Sequence, residues 1–209
     1  MARYRGPVCR MCRRSGQKLF LKGSRCQTDR CSFDRREYPP GQHGRMRRQK
    51  GSEYSVQLRE KQKVRQIYGL MERQFRTIFD KSARERGVVS DIFFKNLECR
   101  FDNVVYRMGF ARSRNEARQL VRNKHVELNG RIVNIPSVKV KVGDQVAIKE
   151  KSRKLSLFAL AEELFSRRAP LSWCESNFDK MTGKVLSLPV RDELGINVKE
   201  RFVVELYSK

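Results

Sequence analysis

Residues 99–134 read CRFDNVVYRMGFARSRNEARQLVRNKHVELNGRIVN. Val104, Val105 and Met108 recur at helical spacing and Gly109 closes the run, which predicts one short helix. Ser113-Arg114-Asn115-Glu116 is a capping box, in which serine and glutamate satisfy amides that an opening helix leaves without partners. A second short helix follows, with Ala117, Leu120 and Val121 on its inner face. The period then drops to two. Val126 and Leu128 alternate with polar residues, Asn129-Gly130 suits a two-residue hairpin turn, and Ile132 continues the strand. Val138, Val140 and Val142 alternate with Lys139 and Lys141, and Val146 and Ile148 alternate after Gly143-Asp144. The expected unit is a pair of short helices feeding a small sheet of hairpins.

Its charges follow the second helix. Arg114, Arg118 and Arg122 stand four apart and share one helical face. Arg112, Lys124 and His125 lie beside it, and few carboxylates are spaced to pair with that face. The reading is an exposed arginine stripe that contacts phosphate.

Upstream of this unit, Val64, Ile67, Tyr68, Met71, Phe75, Ile78 and Phe79 keep a period near 3.6 residues, with Gly69 as a break. Ser90-Asp91 offers a cap for a helix carrying Ile92, Phe93, Phe94 and Leu97. These aromatic stripes read as packed helical core. Further back, Pro39-Pro40-Gly41 opens a Gly- and Arg-rich loop without periodicity. Downstream, Leu155, Phe158, Leu160, Ala161, Leu164 and Phe165 read as helix, and Phe202–Tyr207 reads as a short strand completing the helical body.

The first 31 residues hold Cys9, Cys12, Cys26 and Cys31 at spacing C-x2-C-x13-C-x4-C. Two close cysteine pairs are the ligand pattern of a closed tetrahedral four-thiolate site. The surroundings are too polar to fold on apolar burial alone, so a bound ion would supply stability. Zinc is the expected ion and an iron–sulfur cluster the alternative. Around the cysteines stand Arg3, Arg5, Arg10, Arg13, Arg14, Arg25, Arg30, Arg35 and Arg36, with Arg45, Arg47 and Arg48 in the loop that follows. A pinned platform of guanidinium groups suits a polyphosphate. Cys99 and Cys174 lie far off in apolar contexts and read as small buried residues.

The whole composition agrees. Over 209 residues the net charge is +24, far beyond what solubility requires, and implies a polyanionic partner. The excess is uneven: +12 falls in residues 1–50 and +7 in residues 99–151, against +3 and +2 in the two segments between and after. Both regions are therefore expected to face nucleic acid. No run of about 18 apolar residues exists to span a membrane, and the opening residues lack the apolar core of a secretory signal.

The chain also resembles a known family from end to end. Asp102–Ala111, Glu116–Val121, Val133-Asn134-Ile135-Pro136 and Lys149-Glu150-Lys151-Ser152 resemble the alpha-L RNA-binding motif. Met1-Ala2-Arg3-Tyr4, Asp34-Arg35-Arg36, Pro39-Pro40-Gly41-Gln42-His43-Gly44, Arg73-Gln74-Phe75 and Tyr207-Ser208 extend the resemblance to bacterial small-subunit ribosomal protein four, in its metal-binding four-cysteine branch. The resemblance implies direct binding to the 5′ domain of small-subunit ribosomal RNA, early in assembly. It also implies a place near where the messenger enters, contact with small-subunit protein five, an influence on decoding accuracy, and a cytoplasmic location in the small subunit. The family's RNA-facing alpha-L surface carries over to Arg112, Ser113, Arg114, Arg118, Arg122, Lys124, His125 and Asn129, and its Gly-Gln-His-Gly loop to Gln42 and His43.

The expected architecture is α+β. A metal-binding knot occupies residues 1–45 and a helical body 46–98; an inserted alpha-L domain covers 99–160, and 161–209 returns to complete the body. Two other function classes fit the sequence less well. An RNA-modifying enzyme carrying an alpha-L module needs catalytic residues, yet His43 and His125 are the only histidines and no nucleotide-binding glycine loop occurs. For a zinc-finger DNA regulator, the helix expected after Cys31 is delayed by the Pro39-Pro40-Gly41 loop and no dimerisation heptads follow. No small-molecule substrate is expected.

Overall fold

The computed structural model describes residues 3–46, 51–166 and 171–208. In chain order the helices are α1 (Cys9–Ser15), α2 (Ser32–Arg35), α3 (Glu53–Ile67), α4 (Glu72–Ala83), α5 (Val89–Glu98), α6 (Phe101–Arg107), α7 (Arg114–Arg122), α8 (Ser156–Phe165) and α9 (Glu200–Tyr207). The strands are β1 (Val126–Leu128), β2 (Arg131–Ile132), β3 (Gln145–Ile148), β4 (Cys174–Asn177) and β5 (Thr182–Val185). The chain divides into two compact units: residues up to Ser90 together with those from Ile196, and residues Asp91–Gly195. Among the described residues no helix is long and apolar enough to cross a membrane.

In the first unit, Ser52 caps α3 by accepting from the Ser55 amide at 3.3 Å. Gly69 breaks the apolar stripe at φ 62°. Its amide donates to Gln66 O and the Leu70 amide to Arg65 O, the paired bonds of a Schellman termination. Val64, Ile67, Tyr68, Leu70, Phe75, Phe79 and Val203 are buried. The expected strand at 202–207 is instead α9. Val203 and Val204 favour a strand locally, but the helix sets Val203 and Tyr207 on one side, and tertiary packing outweighs that preference. Tyr207 stacks on Phe79 with centroids 4.7 Å apart, and Gln57 Nε2 donates to Glu205 at 3.0 Å.

The second unit is built on an antiparallel sheet in the order β2-β1-β3-β5-β4. Asn129 and Gly130 have φ of 51° and 74°, as a two-residue turn with the right twist requires, and Leu128 pairs with Arg131. Phe101, Val104, Val105, Met108, Phe110, Ala117, Val121, Val126, Val146, Ile148, Phe158 and Trp173 form the core. Two expectations change here. Residues 138–142 make only an isolated bridge, Arg100 to Lys139, although Val140 is buried and its amide bonds Cys99 O at 2.8 Å. Segment 161–209 is also not one piece: β4 and β5 extend this sheet, and only the residues from Ile196 join the helical unit. Apolar alternation around Trp173 and Val185 is too short and too interrupted by Asn, Asp and Gly to announce strands.

Candidate nucleic-acid interface

The capping serine sets the geometry of α7. Ser113 accepts from the Glu116 amide at 3.3 Å, while the Glu116 carboxylate accepts the Arg112 amide at 2.7 Å and grips the Arg112 guanidinium at 2.6 Å. That grip, partly opposed by burial, holds the Arg112 guanidinium above its ordinary pKa. Ser113 itself is buried and serves the helix.

The stripe of three arginines is not uniformly exposed, which corrects the sequence expectation. Arg114 has a side chain 15% exposed, donates to Asn103 Oδ1 at 2.7 Å and stacks over Tyr106 at 4.6 Å. Arg118 is buried, with its guanidinium 2.6 Å from Asp102. Arg122 is exposed. The expectation that carboxylates are scarce on that face fails as well, because they arrive from other elements. Asp102 on α6 takes Arg118 and also Arg100, the latter through two bonds of 3.1 Å. Glu98, at the end of α5 and fully buried, takes Arg107 at 2.8 and 2.9 Å and Asn103 at 2.7 Å. Buried carboxylates are stable only when paired and hydrogen-bonded in this way. Glu98, Arg100, Asp102, Asn103 and Arg107 escaped the sequence reading; the available signal was acidic residues inside an otherwise apolar run flanked by arginines.

The exposed cationic edge is therefore Arg122 and Lys124 at the end of α7, while Arg112, before its start, is half-buried. Lys124 holds a φ of 61° at the end of α7. His125 is half-buried, with Nδ1 2.9 Å from Ser152 Oγ. Asn129 is committed to the turn, donating to Asp144 at 2.8 Å and accepting the Gln145 amide at 2.8 Å.

In the first unit, Arg5, Arg10, Arg14, Arg25, Arg35, Arg36 and Arg45 are exposed and Arg3 half-buried. Arg47 and Arg48 lie outside the described residues. Arg13 and Arg45 clasp Tyr38 from 4.8 and 5.0 Å, and Arg13 also donates to Tyr38 O at 2.9 Å. Gln42 and His43 are exposed on the loop that follows, His43 Nδ1 lying 3.3 Å from Met46 Sδ.

All six cysteines are free thiols, so no disulfide framework exists. Cys12, Cys26 and Cys31 are buried and Cys9 partly so. Burial raises the thiol pKa of Cys12 and Cys26, opposed by N–H donation from Leu19 and Lys22, the latter 3.4 Å from Cys26 Sγ. Cys12 also feels Cys9, Cys26 and Cys31, and Cys26 feels Cys9 and Cys31. This donor chemistry suits a thiophilic ion, yet among the described residues no group of three or more His, Cys, Asp or Glu stands at ligand geometry. Burial pushes the distant Cys174 thiol up to about 12, as expected of a buried, inert residue.

A family model described as "Ribosomal protein S4/S9 N-terminal domain" matches residues 3–98, and one described as "S4 domain" matches residues 99–146. Similar proteins include "Small ribosomal subunit protein uS4" of Heliobacterium modesticaldum, 51% identical over 209 residues and covering the whole of both chains. The proteins of that name from Thermus thermophilus and Geobacter sp. are 51% and 54% identical, again over both full lengths. The chain belongs to the uS4 family of small ribosomal subunit proteins. Members of the uS4 family are structural, rRNA-binding constituents of the small subunit, a cytoplasmic particle in bacteria, and not enzymes. The enzyme reading therefore gives way, as does the DNA regulator. Within the uS4 pattern the S4 domain match ends at Val146, before the strands that widen the sheet.

Proposed function

We propose that this chain is a structural component of the small ribosomal subunit that binds the 5′ domain of its rRNA directly, nucleates assembly of the subunit body and bears on decoding accuracy. End-to-end identity with uS4 proteins carries the reading. The cationic edge of Arg122 and Lys124 and the net charge of +12 in residues 1–50 supply the electrostatics. A-form RNA is recognised mainly through shape and phosphate contacts, which rigidly held arginines suit. Neighbouring small-subunit proteins, protein five above all, are the expected protein partners.

The reading includes a structural zinc ion on Cys9, Cys12, Cys26 and Cys31, with an iron–sulfur cluster as the alternative. Its support is the four-thiol donor set, the burial of three members and the N–H donation at Cys26. When bound, the ion would cross-link a basic segment that buries little apolar surface.

The test is a titration of a 5′-domain rRNA transcript against duplex DNA of similar length at several salt concentrations. The RNA should be preferred, and with about 6–10 phosphates contacted its affinity should fall about 10³–10⁵-fold between about 50 and 200 mM salt, by analogy with duplex DNA. Equal affinity for the two nucleic acids overturns the reading.

A further inference from the structure

The first unit contains a cavity of about 580 Å³ between the Pro39–Gly44 loop and the start of α3. Its volume falls within the range of about 300–1,000 Å³ typical of pockets that enclose a small organic group. Arg14, Pro40, Gln42, His43, Ser55 and Arg59 are among the residues around it, and among the described residues none that lines it is acidic. Arg14 and Arg59 are exposed, and neither has an ion-pair partner among the described residues. Of the two α3 carboxylates, Glu53 accepts from Gln57 Nε2 and Glu60 pairs with Lys63 at 2.6 Å.

The loop that forms one side of the cavity is held in place. Tyr38 is held between Arg13 and Arg45, Arg13 also donates to Pro39 O at 3.3 Å, and the Gly44 amide closes the loop on Gly41 O at 3.1 Å. A Cβ on Gly44 would lie 2.0 Å from Pro39 O, so only glycine permits this loop. Two consecutive prolines further limit its motion. A loop already held in this way binds with little ordering cost.

We propose that this cavity receives one unpaired nucleotide of the RNA strand. The inference rests on the rRNA-binding reading and deepens it. The chemistry is divided by position: Arg14 and Arg59 take the phosphates on either side of the base, the proline faces and the His43 ring cover its plane, and Gln42 reaches its edge. A phosphate alone would leave most of the volume unfilled. A paired base would first have to break its pair and its stack to enter, whereas bases splayed from loops and bulges are the usual targets of side-chain stacking in RNA recognition.

The experiment uses the full chain with a 5′-domain rRNA transcript, mapped nucleotide by nucleotide by 2′-hydroxyl acylation. Wild type should protect one nucleotide that is reactive in the free RNA, and the double variant Gln42→Ala/Arg59→Gln should leave it reactive. Deleting that nucleotide should weaken wild-type binding about tenfold and leave the double variant unaffected. Gly44→Ala, which distorts the loop without removing charge, should reproduce the lost protection. Equal losses on deletion for wild type and double variant, or no nucleotide that tells the two proteins apart, overturns the subsite while the rRNA reading stands. Adenosine 5′-monophosphate at 1 mM should not compete; competition lost in the double variant would assign the cavity to free nucleotides and overturn the strand assignment. Failure of wild type to prefer the transcript over duplex DNA removes the rRNA reading and the subsite with it.

Discussion

The Arg118 guanidinium lies 2.6 Å from the Asp102 carboxylate, with the two side chains only 5% and 4% exposed. An arginine at that spacing on α7 belongs by sequence to a phosphate-facing stripe, but here it ties α7 to α6. Removing one member of a buried pair leaves a charge without its counterion, which costs about 3–5 kcal/mol. Arg118→Ala should fall near the lower end, because Arg100 remains beside Asp102. Urea denaturation measures it; a loss below about 1 kcal/mol would return Arg118 to the surface.

Arg122 and Lys124 should behave oppositely. Both are exposed, and exposed charges contribute below about 1 kcal/mol to folding. The double substitution to Ala should leave the melting temperature nearly unchanged while weakening RNA binding and lowering the salt slope by about one per lost phosphate contact. An unchanged slope would remove these two residues from the interface.

Elemental analysis of the purified chain should find about one zinc, and Cys9→Ser should expose residues 1–45 to proteases while the remaining helices stay protected. A metal-free chain with an intact first 45 residues rules the ion out. Iron with visible absorption converts the site to a cluster.

Glu72 provides a pH-dependent contact. Burial would raise its pKa, but bonds from Lys61 at 2.6 Å and Tyr207 at 2.8 Å together outweigh it and hold the carboxyl below its ordinary 4.5. A depressed folded-state pKa gives stability that is present above the unfolded value and lost as pH falls through the folded one. Wild type should therefore lose stability below about pH 4.5 more steeply than Glu72→Gln, by a modest margin because the side chain is 44% exposed. Parallel acid melts of the two proteins decide it.

Tyr207, the other partner in that bond, has its pKa raised by burial and by the Glu72 carboxylate, so it stays protonated and donates. Tyr207→Phe keeps the packing on Phe79 and removes only the hydroxyl. The cost should be about 1 kcal/mol, read from the shift of the urea midpoint.

Sequence by itself determined what is written in short-range chemistry. The Ser113 cap, the Asn129-Gly130 turn, the Gly69 stop and the apolar faces of α3, α4 and α7 each depend on residues within a few positions of one another, and each forms as expected, except that Met71 of the expected stripe is exposed. The two basic regions were equally legible, since charge needs no fold to be counted. Tertiary structure decided the rest. It turned 202–207 into a helix through packing on Phe79 and carried β4 and β5 onto the sheet through pairing with β3. It also sorted the arginines: Arg118 meets Asp102 from 16 residues away, Arg114 meets Asn103 from 11, and Arg122 meets solvent. Helical spacing places all three on one face, but only the elements packed against that face determine which guanidinium is desolvated and must find a carboxylate, and which remains free for phosphate.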